Sequence, residues 1–126
     1  MKIAALISRI LMGLMFVMAG SNAFLNFLKG PMPTGLAGEY VDAIVKSHYF
    51  WAVGAVQLIG GVLLLVNRYV PLALTLLGPV IVNILLFHFL LNPVGLGGAL
   101  VVTILWCVVA YRYRANFAGI FAQKAS

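Results

Sequence analysis

Four long apolar runs, at residues 3–27, 48–66, 71–91 and 98–113, set the limits on what this chain folds into. Each approaches the ~20 residues that carry a helix across ~30 Å of hydrocarbon. The runs are continuous in Leu, Val and Ile and lack the period-two polarity of a spanning β-barrel, which selects helices. Charge agrees: 8% of the 126 residues are charged, about a third of the fraction usual in a soluble domain. The expected fold class is all-α, a polytopic membrane protein built as a four-transmembrane-helix bundle. Short connections leave no room for a second domain, so residues 1–126 are read as one membrane domain with a tail at 114–126.

The amino-terminal run has a competing reading as a secretory signal peptide, because Lys2 precedes it and small residues follow around Ala19 to Ala23. Arg9 splits the run, which the core of a signal peptide avoids, so the segment is expected to be the first transmembrane helix.

Cations set the expected orientation. In a chain that crosses four times, the amino end, the second connection and the tail share one side and hold Lys2, Arg9, Arg68, Arg112, Arg114 and Lys124, with no acid among them. The other side holds Lys29 and Lys46, balanced by Glu39 and Asp42. The positive-inside rule then places both termini in the cytoplasm of a bacterial or archaeal inner membrane. The net charge of +6 is therefore a topology and lipid-headgroup signal. Nucleic-acid binding is set aside, since the basic residues are not clustered with stacking aromatics on a soluble face.

The connections differ. NRYVP, residues 67–71, is a tight turn whose proline can open the third helix without losing a needed donor. The first connection, KGPMPTGLAGEYVDAIVKS, is long and begins with breakers. Its second half puts Tyr40, Val41, Ile44 and Val45 on one face and Glu39, Asp42 and Lys46 on the other, which predicts a short amphipathic helix on the outer surface. Phe117, Ile120 and Phe121 suggest a cytoplasmic counterpart in the tail.

Lipid supplies no hydrophobic force between helices, so small residues mark the close approaches. Gly13 and Gly20, like Gly54 and Gly61, are seven apart and fall on one face. Ala99, Thr103 and Cys107 form a stripe at i, i+4 and i+8. These faces are expected to be seams within the bundle or homo-oligomer surfaces, and Cys107 is expected to be buried.

Polar side chains within the apolar runs are costly and point to function. Asn22 and Asn26 lie near the outer end of helix one, His48 opens helix two, and His88 and Asn92 lie one turn apart at the outer end of helix three. With Trp51, Tyr40 and Tyr49 nearby, they are expected to form an outer pocket with a polar mouth. Asn83, about 140° from His88 on an α-helix, is assigned instead to the Pro79 break, beside the Thr75 carbonyl, with a bond to a neighbouring helix. Arg9 is expected to snorkel to the headgroups; if it turned inward it would need Gln57, Ser8 or backbone carbonyls.

What is missing narrows function further. The first helix has no carboxylate for a proton-coupled exporter, Cys107 is alone, and two histidines do not supply the three or four ligands of a zinc site. No catalytic or metal-binding residue is assigned. A haem held by His48 and His88 is disfavoured because His48 sits at the edge of its span. A quinone headgroup is easier to place, with a histidine exchanging a proton, an asparagine donating, and the isoprenoid tail between helices.

Three stretches carry a resemblance: ISRILMGLMFVMAG with Arg9, Gly13, Phe16 and Gly20; GAVQLIGGVLLLVNRYVPLALTLLGP; and VNILLFHFLL with Asn83, Phe87 and His88. Over almost its whole length the chain resembles the DoxX family of small four-helix integral membrane proteins. Many members have an acid where this chain has Gln57 and a base where it has Asn22 or Asn26, departures that argue against a protonatable pair here. The family is similar to small membrane subunits of thiosulfate:quinone oxidoreductase and terminal quinol oxidase complexes. The resemblance implies an accessory or anchoring subunit of a quinone-linked redox complex, not an autonomous enzyme, with redox-protein partners in the bilayer and a quinone or lipid pocket at the outer face. The alternative is a non-catalytic binding protein for a lipid or other hydrophobic small molecule. An autonomous transporter ranks last, for want of coupling-ion ligands.

Overall fold

The computed structural model describes residues 2–25 and 34–121, and among these no strand occurs. Helix α1 covers Lys2–Leu25, α2 Gly35–Lys46, α3 Tyr49–Val66, α4 Val70–Leu86 and α5 Leu96–Arg112. A π-helical turn, Phe87–Leu91, extends α4, and 3₁₀ segments cover Pro93–Gly95 and Arg114–Phe121. Helices α1, α3 and α4 with its extension are long and apolar enough to cross a membrane. The fourth, α5, is apolar and has 17 residues, the lower end of the spanning range.

The helices form a ring in which α1 packs against α3 and α5, and α4 closes the other side against the same two. A core of Met12, Phe16, Leu64, Leu74, Leu77 and Val109 fills the centre. The expected glycine faces meet in the α1–α3 seam. A Cβ on Gly20 would lie 2.6 Å from the Leu58 nitrogen and 2.7 Å from the Gly54 oxygen, and one on Gly61 2.9 Å from the Gly13 oxygen. These glycines let two backbones touch within one chain, and their faces are occupied there.

Three residues with left-handed backbones make the corners. His48, at φ 61°, turns the surface helix α2 into α3; Asn67 and Tyr69, at φ 57° and 53°, turn α3 into α4. Asn and His accept this conformation more readily than most residues. Pro71 sits in the first turn of α4, as expected.

Several expectations change. Arg9 does not snorkel: it is 8% exposed, and its Nη1 donates to the Leu64 carbonyl and, at 3.5 Å, to that of Leu65. Both carbonyls belong to the last turn of α3, so Arg9 caps that helix from α1 and puts a cation at the negative end of its dipole. Cys107 is exposed, not buried. Eight residues along an α-helix overshoot two turns by about 80°, so the stripe that buries Ala99 rotates Cys107 onto the outside of the bundle. Beyond α5 the chain is 3₁₀, with three residues per turn. Phe117 packs on the core while Ile120 is exposed, so these two do not form the expected α-type apolar face, and the Phe121 side chain lies outside the described residues. At Pro79 the sequence expectation assigned Asn83 to the break; instead Trp106 of α5 donates from Nε1 to the Leu74 carbonyl at 3.0 Å, one residue from the rung that the proline leaves open.

Candidate functional site

The amphipathic helix α2 lies over the first turns of α3 and the last turns of α4 with the predicted apolar face turned in. Tyr40, Val41, Ile44 and Val45 roof a cavity of about 260 Å³ whose walls come from α3 and α4 and whose inner end reaches Gln57 and His88. Tyr40 is fixed from two sides: Asn83 Nδ2 donates to its hydroxyl at 3.1 Å, and its ring packs on Phe87 with centroids 5.3 Å apart. Asn83 therefore does reach another helix, as expected, but the helix is α2.

His88 is held by the π turn that carries it. Asn92 N–H donates to the Phe87 carbonyl at 3.0 Å, the i→i+5 step of a π turn, and this brings the Asn92 carbonyl to 3.0 Å from His88 Nδ1. A carbonyl only accepts, so Nδ1 carries the proton, and in the neutral ring Nε2 is left as an acceptor. The ring lies against Gly95, where a Cβ would come within 2.6 Å of Nδ1. Asn83 precedes the π turn and is separated from His88 by α-helical steps, yet both residues border the same cavity.

Gln57 occupies mid-α3, 6% exposed, and its Oε1 is buried without a hydrogen-bond partner among the described residues. An unpaired buried amide oxygen costs about 1–3 kcal/mol, and that cost marks a site for a donor. Gln57 and His88 also line a second cavity of about 220 Å³ toward α1 and α5, so the pair separates two chambers.

The remaining expected residues form another group. Asn22, His48 and Trp51 line a groove of about 290 Å³ between α1 and α3. There the His48 ring packs on Trp51 with centroids 4.5 Å apart, and Trp51 meets Phe24 at 6.1 Å. The expected single outer pocket is thus two, with His48 lining one and His88 the other. Asn92 serves through its main-chain carbonyl and does not line the His88 cavity. Asn26 lies outside the described residues.

Gln57 and Gly95 were not assigned to a ligand site from the sequence, and Tyr40 was expected only beside the outer pocket. Tyr40 was visible as part of an apolar face, Gln57 as a costly polar residue, and Gly95 only as one of several glycines after Pro93. Their convergence depends on helix packing that no local pattern encodes.

No curated protein and no solved structure matches this chain. The family model for DoxX matches residues 4–89, which span α1 through His88 and its neighbour Phe89. With its apolar helical bundle and this match over more than half its length, the chain is a membrane protein that belongs to the DoxX family.

Proposed function

We propose that this protein is an accessory subunit of a quinone-linked redox complex in a bacterial or archaeal inner membrane, with both termini cytoplasmic. Its own contribution is to hold a quinol or similar hydroxyl-headed lipid in the cavity beneath α2. The observation that carries the binding reading is the unpaired Oε1 of Gln57, a residue that lines that cavity. Beside it, His88 Nε2 is a second acceptor once Nδ1 is committed to Asn92. Two acceptors suit a head with two hydroxyl groups. At about 260 Å³ the cavity falls just below the ~300–1,000 Å³ of whole-ligand sites. It suits a head group whose tail leaves through the adjoining groove of about 700 Å³.

The apolar walls equally favour a second reading, a non-catalytic protein that holds another lipid. Purification in mild detergent, followed by solvent extraction and an absorption spectrum before and after borohydride, separates them. About one quinone or quinol per chain, lost in Gln57→Leu, is the expected result. A quinone-free preparation retaining a different lipid at that stoichiometry would overturn the quinol assignment and leave the second reading.

A further inference from the structure

The end of the bundle opposite α2 holds a cavity of about 390 Å³ that the outer site does not use. Lys2 and Arg9 of α1 and Arg112 of α5 line it, with Asn67 from the α3–α4 turn and Tyr113 from the end of α5. The apolar wall is the first turns of α1, where Leu6 is half exposed on the outside of the bundle. We infer that this cavity binds the phosphate of an anionic phospholipid headgroup, with the acyl chains running along α1.

The inference begins with Arg9. Burying a guanidinium is expensive unless something offsets its charge. The chain has two carboxylate side chains, Glu39 and Asp42, and both are on α2 at the other end, where Asp42 already pairs with Lys46 at 3.0 Å. What faces Arg9 from the protein is the carboxyl end of α3, through Leu64 and Leu65. A helix end supplies only about half a negative charge. Only Nη1 of Arg9 is engaged among the described residues, so its other N–H groups are available to an anion.

Lys2 and Arg112 add two further cations, and Arg112 is placed over the Tyr113 ring at 5.7 Å. Three cations, one amide and one phenol around one space can satisfy several phosphate oxygens with charge-assisted bonds. Depth selects the source of the phosphate. Lys2 begins α1 and Arg9 lies seven residues further in, about 10 Å along the axis. That interval corresponds to the headgroup layer and its boundary with the acyl chains. A free phosphate would match the cations but not the apolar wall; a phosphodiester on a diacyl tail matches both. The cluster also lies where basic pockets between spanning helices recognise anionic lipids.

The test uses the full chain in a mild uncharged detergent, with thermal unfolding followed during titration with dioctanoyl phosphatidylglycerol, dioctanoyl phosphatidylcholine or inorganic phosphate. Phosphatidylglycerol is expected to raise the midpoint saturably, with little change from the other two. Arg112→Gln and Lys2→Gln, both at exposed positions and outside the core, are expected to raise the half-saturating concentration about fivefold each, the effect of one cation near a membrane surface. His88→Ala is expected to leave it unchanged, which keeps this site distinct from the outer cavity. An equal shift from inorganic phosphate would overturn the lipid assignment. Equal shifts from the two lipids, or wild-type titrations in both basic variants, would overturn the site.

Discussion

Asn83 and Tyr40, forty-three residues apart, are joined by a 3.1 Å hydrogen bond that fastens the surface helix α2 to the spanning helix α4. Both residues line the inner cavity and the outer groove, so the bond stands where the two meet. Exchanging Tyr40 for Phe or Asn83 for Leu removes it without changing the bulk on either side. Each exchange is expected to lower the unfolding midpoint in detergent, and a double-mutant cycle to give a coupling of about 0.6 kcal/mol, the average for bonds between helices in membranes. Strictly additive losses would show that the bond does not hold α2.

Gly95 is expected to act through His88. A methyl group at Gly95 meets the imidazole, so Gly95→Ala must push the ring off its place beside the Asn92 carbonyl. Removing a hydrogen bond to a ligand costs about 1 kcal/mol or slightly more. Binding of a short-chain quinol, measured by fluorescence quenching, should therefore weaken about tenfold in both Gly95→Ala and His88→Ala. Unchanged binding in Gly95→Ala alongside loss in His88→Ala would separate the two.

The α1–α3 seam should be intolerant of any side chain at Gly20. The nearest atoms to an added Cβ there are backbone atoms of Gly54 and Leu58, which do not move aside as a flexible side chain does. Gly20→Val is expected to cost at least the ~1–3 kcal/mol typical of overpacking. Gly97, with nothing within 4 Å, is the control, and Gly97→Ala should unfold within a degree or two of the parent. Matching midpoints for the two variants would contradict the seam.

Arg9→Met keeps an unbranched apolar stem and deletes the guanidinium that caps α3. Hydrogen bonds from a charged donor are worth about 1.5–3 kcal/mol, so the loss should be about 2 kcal/mol, read as a lower unfolding midpoint. A snorkelling arginine would be replaced by Met at no cost, and a neutral outcome would return Arg9 to that reading.

The bundle was legible because hydrocarbon allows few structures, and run lengths with Gly and Pro breaks mark the helices directly. The amphipathic helix was legible for the same reason: the 3.6-residue period of Tyr40, Val41, Ile44 and Val45 is local. Partners across the bundle were not. Nothing near Arg9 in sequence points to Leu64, and nothing near Trp106 points to Leu74, because these bonds depend on how two helices are rotated against each other. The setting of His88 was hidden for a different reason. The π turn at Phe87–Leu91, which brings the Asn92 carbonyl to its ring, has no local pattern that announces it. Two prolines near an asparagine hinted at irregularity there without specifying which kind.

Gln57 and His88 have a wider consequence than either cavity alone. Because both side chains border both chambers, they form a shared bulkhead through the bundle. A substitution at either position therefore reshapes the space under α2 and the space between α1 and α5 at the same time.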